Sequence, residues 1–293
     1  MCLGIGVALR LSGRLPDNAH KTLGGWVINV ALPAAALDSI HNLQLSDGWW
    51  FAASTPWLGA LIGIGFFTFL TRTAGWTRQR AGALMLTTGW ANTSFVGLPM
   101  IAAFAGSQWL GLGLVIDLFG SYLALSTIGF AIATIASAGH FSWRLVLTRI
   151  TTFPPFIAIV IALATNHLAR PEWLTHLISL LAQTLTPLAL AAAGYALRFT
   201  AIKSRLAALG AGLAYRLLIA PALLTILLIA LGKPGSPLAH VTLLEMAMPP
   251  SLGASILAMD HNLEPELAAL LIGAGVPLSI LTAWGWWTLT GIL

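Results

Sequence analysis

The chain has 293 residues, 58% hydrophobic and 8% charged, with a formal net charge of +5. A soluble domain carries about 25% charged residues, so this composition excludes a soluble fold and predicts an all-α protein with the lipid bilayer as its solvent. A pI near 10.0 gives no nucleic-acid signal, because the basic residues fall in short loops between apolar runs; the single cysteine, Cys2, excludes an internal disulfide.

Apolar runs predict ten transmembrane helices, in chain order 1–11, 23–40, 50–70, 82–105, 110–137, 148–166, 173–197, 206–231, 238–259 and 266–292. The first is short, since eleven residues rise only about 16 Å in a helix, roughly half the apolar thickness. No positive charge precedes it, and Arg10 and Arg14 follow it, which is the wrong order for a signal peptide. Either this helix is tucked against others or the chain has lost a few leading residues.

Loops after spans one, three, five and seven carry Arg10, Arg14, Lys21, Arg72, Arg78, Arg80, Arg144, Arg149, Arg198, Lys203 and Arg205, eleven basic residues; the opposite loops carry only Arg170 and Lys233. This bias predicts that the N- and C-termini lie on the non-cytoplasmic side. Five spans per half then require the second half to be inverted, with repeat one at 1–137, repeat two at 148–293 and a polar connection at 138–149, all in one transmembrane domain. Internal echoes agree. Asn29 and Gln183 each stand four residues before a proline, Pro33 and Pro187, and Pro33 to Pro99 (99 − 33 = 66) nearly matches Pro187 to Pro249 (249 − 187 = 62).

Two stretches are long enough to cross a bilayer yet polar or proline-bearing in the middle. The first, 82–106, holds Thr87, Thr88, Asn92, Thr93, Ser94, Gly97 and Pro99; the second, 238–259, holds Pro249, Pro250, Ser251 and Ser255. Freed backbone groups are stable in hydrocarbon only when buried in protein or lining a cavity. A broken span in each half is therefore a pointer to a transporter's binding site. Proline breaks a helix interior but starts a helix well, so half-helices beginning near Pro99 and Pro249 would both aim positive N-termini at the membrane centre, a setting for a small organic anion. The plainer reading is that the prolines kink packed helices and the hydroxyls bond back to their own carbonyls.

Arg216, inside span eight, is costly in a bilayer and needs a partner or water. It would bind the cargo carboxylate, hold a transport carboxylate charged, form a structural ion pair, or cap carbonyls freed near Pro221. Asp117 in span five and Glu245 in span nine are the candidate ion-coupling residues. Protons are the favoured coupling ion; sodium would need Asn92, Ser94, Thr87 and Glu245 to converge. Glu264-Pro265-Glu266 reads as a helix start. Gly59 and Gly63 form a helix-contact motif. Trp49, Trp50, Trp57, Trp76, Trp109, Trp173, Trp286 and Trp287 read as interfacial anchors, and the seven histidines show no metal spacing, so no metal or other cofactor is expected. Motifs of an intramembrane enzyme are absent, and a channel or membrane sensor is the rival class.

The segments NTSFVGLPM (92–100), AMPPSLGASILAMDHN (247–262), FPPFIAIVIAL (153–163) and Pro33 resemble the auxin efflux carrier family, in particular its bacterial members. The resemblance runs along nearly the whole chain. It implies elevator-type alternating access, with spans one, two, six and seven as a scaffold and spans three to five and eight to ten as the moving unit. The broken helices four and nine would cross at Pro99 and Pro249. It also implies a bacterial cytoplasmic (inner) membrane location, and a homodimer through the scaffold helices is the partner arrangement to test. The bile-acid carriers, sodium-coupled organic-anion symporters, share the overall plan.

Overall fold

The computed structural model describes residues 2–40, 48–137, 143–165, 168–196, 205–232 and 235–291. No strand occurs among the described residues, and the helices overlie the apolar runs. Helix α1 (Cys2–Leu11) is followed by α2 (Ala19–Trp26), which runs through a π turn into α3 (Leu32–Ile40). Helix α4 (Trp49–Ala74) leads to α5 (Arg78–Gly89), which stops; a helix restarts at Thr93 as a π turn and continues as α6 (Leu98–Phe104). Helices α7 (Leu110–Val115) and α8 (Phe130–Ala136) flank two further π turns, Ile116–Tyr122 and Leu125–Gly129. Then come α9 (Trp143–Thr151), α10 (Pro154–Ala164), α11 (Glu172–Gln183), α12 (Leu185–Ala196), α13 (Leu206–Ala214) and α14 (Ala220–Ala230). The chain ends with α15 (Pro237–Met246), α16 (Leu252–Asp260) and α17 (Pro265–Thr290). Among the described residues, five stretches are long and apolar enough to cross a membrane: Trp49–Ala74, Ser107–Ala136, Glu172–Ala192, Leu206–Ala230 and Pro265–Thr290. Arg198, Lys203 and Lys233 of the charge count, and 138–142 of the connection, lie outside the described residues.

Three prolines that look like helix breakers break nothing. Pro33, Pro99 and Pro221 each stand two residues after a π turn, Val27–Ala31, Thr93–Gly97 and Tyr215–Ile219. A proline collides with the carbonyl four residues back and offers it no N–H; a widened turn moves that carbonyl aside. For Pro221 the carbonyl is that of Leu217, which accepts from Trp286 Nε1 at 2.9 Å. Trp57 likewise donates to Phe119 O at 3.0 Å, so these two half-buried indoles are tied to neighbouring helices.

Helices pack in two neighbourhoods. In one, α1 and α2 lie on α12, and α3 lies on α10 and α11. The short α1 is indeed tucked in: Gly6 abuts the Ala191 backbone so closely that a Cβ would collide with it, and Arg10 Nη1 donates to Tyr195 O at 3.1 Å. In the other, α4 packs on α5, α15 and the Ile116–Tyr122 turn, while α5 meets α8, α16 and α17. The glycine pair on α4 seats Tyr215, whose hydroxyl donates to Gly59 O and would lie 3.1 Å from a Cβ on Gly63.

The Glu264 carboxylate accepts from Arg80 Nε at 2.8 Å and Arg205 Nε at 3.4 Å, and Glu266 pairs with Arg205 at 2.6 Å. Glu264 makes no side-chain cap to its own helix. Its charge instead ties the starts of α5, α13 and α17 together.

Candidate functional site

The site is built on the two interruptions. Helix α5 ends at Gly89, and Trp90 is extended, with φ −108° and ψ 145°. Helix α15 ends at Met246, and α16 begins after Ser251. The two gaps pair with each other: Ala91 faces Pro250 in an antiparallel bridge, Asn92 N donates to Pro249 O at 2.8 Å, and Ser251 N reaches Trp90 O and Thr87 O, each at 3.1 Å. Backbone groups that lipid could not satisfy are thus satisfied across the crossing. Pro249 and Pro250 lie in the second gap as expected. The first gap is a correction: it falls at Trp90–Asn92, and Pro99 lies inside the following helix, its missing N–H absorbed by the π turn.

Each restarted helix is capped by its own side chain. Asn92 Oδ1 accepts from Phe95 N at 3.1 Å, and Ser251 Oγ accepts from Ala254 N at 3.3 Å. These caps satisfy one orphan donor each and leave the remaining positive end of the peptide dipoles. The helices they start, Thr93–Phe104 and Leu252–Asp260, run away from the crossing.

Both caps line one cavity of about 500 Å³, a size that suits a small molecule. Asp117 reaches it from the Ile116–Tyr122 π turn and is only 4% exposed. Its Oδ1 accepts from Thr93 Oγ1 and, at 2.6 Å, from Ser94 Oγ. Asn92, Thr93, Ser94, Asp117 and Ser251 therefore come together. Among the described residues lining it, Asp117 is the one carboxylate, and there is no Lys, Arg or His.

The rest of the wall is more apolar than the sequence suggested. Trp90, Phe95, Tyr122 and Phe153 line it, with Tyr122 stacked on Phe153 at 3.7 Å and 9°. Trp90 Nε1 and Ser121 Oγ are buried there without a hydrogen-bond partner among the described residues. Neither was singled out by sequence. A tryptophan in an apolar span reads as packing, and only the stop of α5 at Gly89 turns Trp90 toward the cavity.

The other expected site residues stand elsewhere. Arg216 is 1% exposed and does not line the cavity. Its Nη1 donates to Gly89 O at 3.3 Å and Thr88 O at 3.5 Å, and its Nη2 to Met246 O. One guanidinium thus covers the negative C-terminal ends of both α5 and α15. It caps the carbonyls of the two interrupted helices, not those near Pro221, and among the described residues it forms no ion pair with Asp117 or Glu245. Ser255 Oγ bonds back to Ser251 O at 2.7 Å and is fully buried. Gly97 has a packing role, because any side chain there would run into the Glu245 carboxyl.

Glu245 is 1% exposed, and neither oxygen has a partner among the described residues. It lines a separate small gap with Thr93 and Arg216. The four oxygens weighed for sodium are therefore divided: Asn92 and Ser94 face the large cavity, Glu245 the small gap, and Thr87 lines neither. No cluster of His, Cys, Asp and Glu fit for a metal occurs among the described residues.

Fold and site together define an integral membrane protein in which two interrupted helices meet beside a mainly apolar cavity. The sequence matches the membrane transport protein family over residues 1–142 and again over 138–287. The chain belongs to that family, the auxin efflux carrier family of the resemblance, and is a membrane transporter. No curated protein matches the chain.

Proposed function

We propose that the chain is a secondary active transporter of a small organic anion, a carboxylate, coupled to protons through Asp117. The observation that carries this reading is that both helix starts, capped by Asn92 and Ser251, face one cavity in which Asp117 is the single carboxylate among the described residues. Positive peptide ends suit a negative cargo group, and the aromatic wall suits an apolar body. Two charged carboxylates in one mainly apolar cavity repel. An anionic cargo therefore enters when Asp117 carries a proton, and the pair moves as one anion with one proton. Thr93 and Ser94 keep the Asp117 carboxyl aimed at the cavity in either form.

The two packing neighbourhoods support an elevator-type movement, with α1–α3 and α9–α12 as scaffold and α4–α8 and α13–α17 as the moving unit, in two inverted repeats of five spans. The ion-paired helix starts at Glu264 stiffen the moving unit. A homodimer through the scaffold helices fits this scheme. Arg216 positions the crossing rather than touching cargo.

The test is uptake of labelled mono- and dicarboxylates into proteoliposomes under an inward proton gradient, with sodium replaced by choline. Saturable, gradient-driven uptake without sodium, lost in Asn92→Ala, supports the reading. Uptake that requires sodium, or conductance without counterflow, overturns it in favour of a sodium symporter or a channel.

A further inference from the structure

At the end of the molecule where most arginines gather, the chain builds a second cavity that the crossing does not use. It holds about 290 Å³ between the end of α4, the start of α5 and the end of α8. Its rim carries Thr71, Arg72 and Arg78; its floor is apolar, with Met85, Ile132 and Ala136. Gly82 lets α5 and α8 approach there, since a Cβ at that position would press on Ala136.

Three features fix what this cavity suits. First, its charge is unanswered. Glu264 and Glu266 are engaged by Arg80 and Arg205, and among the described residues neither Arg72 nor Arg78 forms an ion pair. Arg78 uses Nη2 on Ile135 O at 3.2 Å, which holds its guanidinium at the rim, and the Arg72 guanidinium makes no hydrogen bond among the described residues. Second, the cavity has depth. Met85 lies seven residues into α5 from Arg78, which is about 10 Å along a helix axis, so the site runs from headgroup level into acyl level. Third, α4 is an apolar span that ends at Ala74, two residues past Arg72, and basic residues at the end of a span suit the headgroup region.

We infer that this cavity is a binding site for an anionic phospholipid, its phosphate held by Arg72 and Arg78 and one acyl chain lying over Met85, Ile132 and Ala136. The lipid wedges three helix ends, α4, α5 and α8, that belong to the same packing neighbourhood as the crossing. The inference does not depend on the cargo or on its coupling ion.

The test is lipid retention by purified protein in detergent, after exposure to equal amounts of phosphatidylglycerol and phosphatidylcholine, read by mass spectrometry. The wild-type chain is expected to retain phosphatidylglycerol about tenfold over phosphatidylcholine. Arg72→Gln/Arg78→Gln should bring the ratio close to one, and Arg72→Lys/Arg78→Lys should keep most of the preference. Should the double variant fail to fold, Arg72→Gln alone tests the site, because Arg72 bonds nothing that holds the fold. The inference is overturned by equal retention of both lipids, by an unchanged ratio in Arg72→Gln, or by the same loss in Arg14→Gln/Arg144→Gln, which would mean general surface charge. Displacement of phosphatidylglycerol by excess inorganic phosphate would mark a free-anion site and would also overturn it.

Discussion

Asp117 and Arg216 show how differently two buried charges can be employed within a few ångströms of one crossing. Asp117 opens onto the cavity and is oriented by two hydroxyls. Asparagine keeps the acceptor for Thr93 and Ser94 and imitates the protonated acid, so Asp117→Asn should still exchange labelled anion in counterflow. It should no longer accumulate anion under a proton gradient; accumulation that still followed the pH gradient would rule out Asp117 as the proton carrier. Arg216 is instead a structural cation. Each buried carbonyl left without a donor costs about 1–3 kcal/mol, and its guanidinium serves Thr88, Gly89 and Met246. Arg216→Gln should lower the thermal melting midpoint by several degrees, with Arg216→Lys intermediate. A variant with normal melting and a raised KM would point back to cargo binding. Asn92→Ala loses a helix cap, typically about 1 kcal/mol, together with an amide facing the cavity. Its anion affinity should fall more than its stability, which binding isotherms and melting curves compare directly.

The interruption of a helix has a different cause in the two halves. In the second half Pro249 and Pro250 stop α15 by removing donors, and the chain restarts at the Ser251 cap. In the first half no proline lies in the gap. Helix α5 stops at Gly89, Trp90 is extended, and Asn92 caps the restart. The three prolines that follow π turns keep their helices continuous because the widened turn removes the carbonyl clash. Gly97 has a reason of its own: the Glu245 carboxyl occupies the place of its Cβ. Gly97→Ala should push α6 away from α15 and reduce folded yield, measured by size-exclusion chromatography. A normal yield would show that Glu245 can move aside. Gly6→Leu makes the corresponding test of α1 on α12, and loss of monodisperse protein is the expected result.

At the scale of the whole molecule, the Tyr122–Phe153 stack joins the two packing neighbourhoods across the cavity. If one neighbourhood slides past the other, this contact opens and closes. A disulfide engineered by Tyr122→Cys/Phe153→Cys in a Cys2→Ser background should block transport until reduced; full activity of the cross-linked protein would exclude relative movement there. Much of this architecture was legible in the linear order of residues. Apolar length fixes which stretches are helices in lipid, because every backbone group must be paired there, and polar residues amid an apolar run mark where pairing comes from outside the helix. The chain itself therefore named 82–106 and 238–259, along with Asn92, Thr93, Ser94, Asp117 and Ser251. What it could not decide was who satisfies whom. That Ser251 N donates to Trp90 O, that Arg216 caps two distant helix ends, and that Glu245 fills the space of Gly97 depend on atoms more than a hundred residues apart in sequence or on opposite faces of neighbouring helices. Such partners are chosen by the packing of the two crossing segments, and hydropathy and spacing carry no record of it.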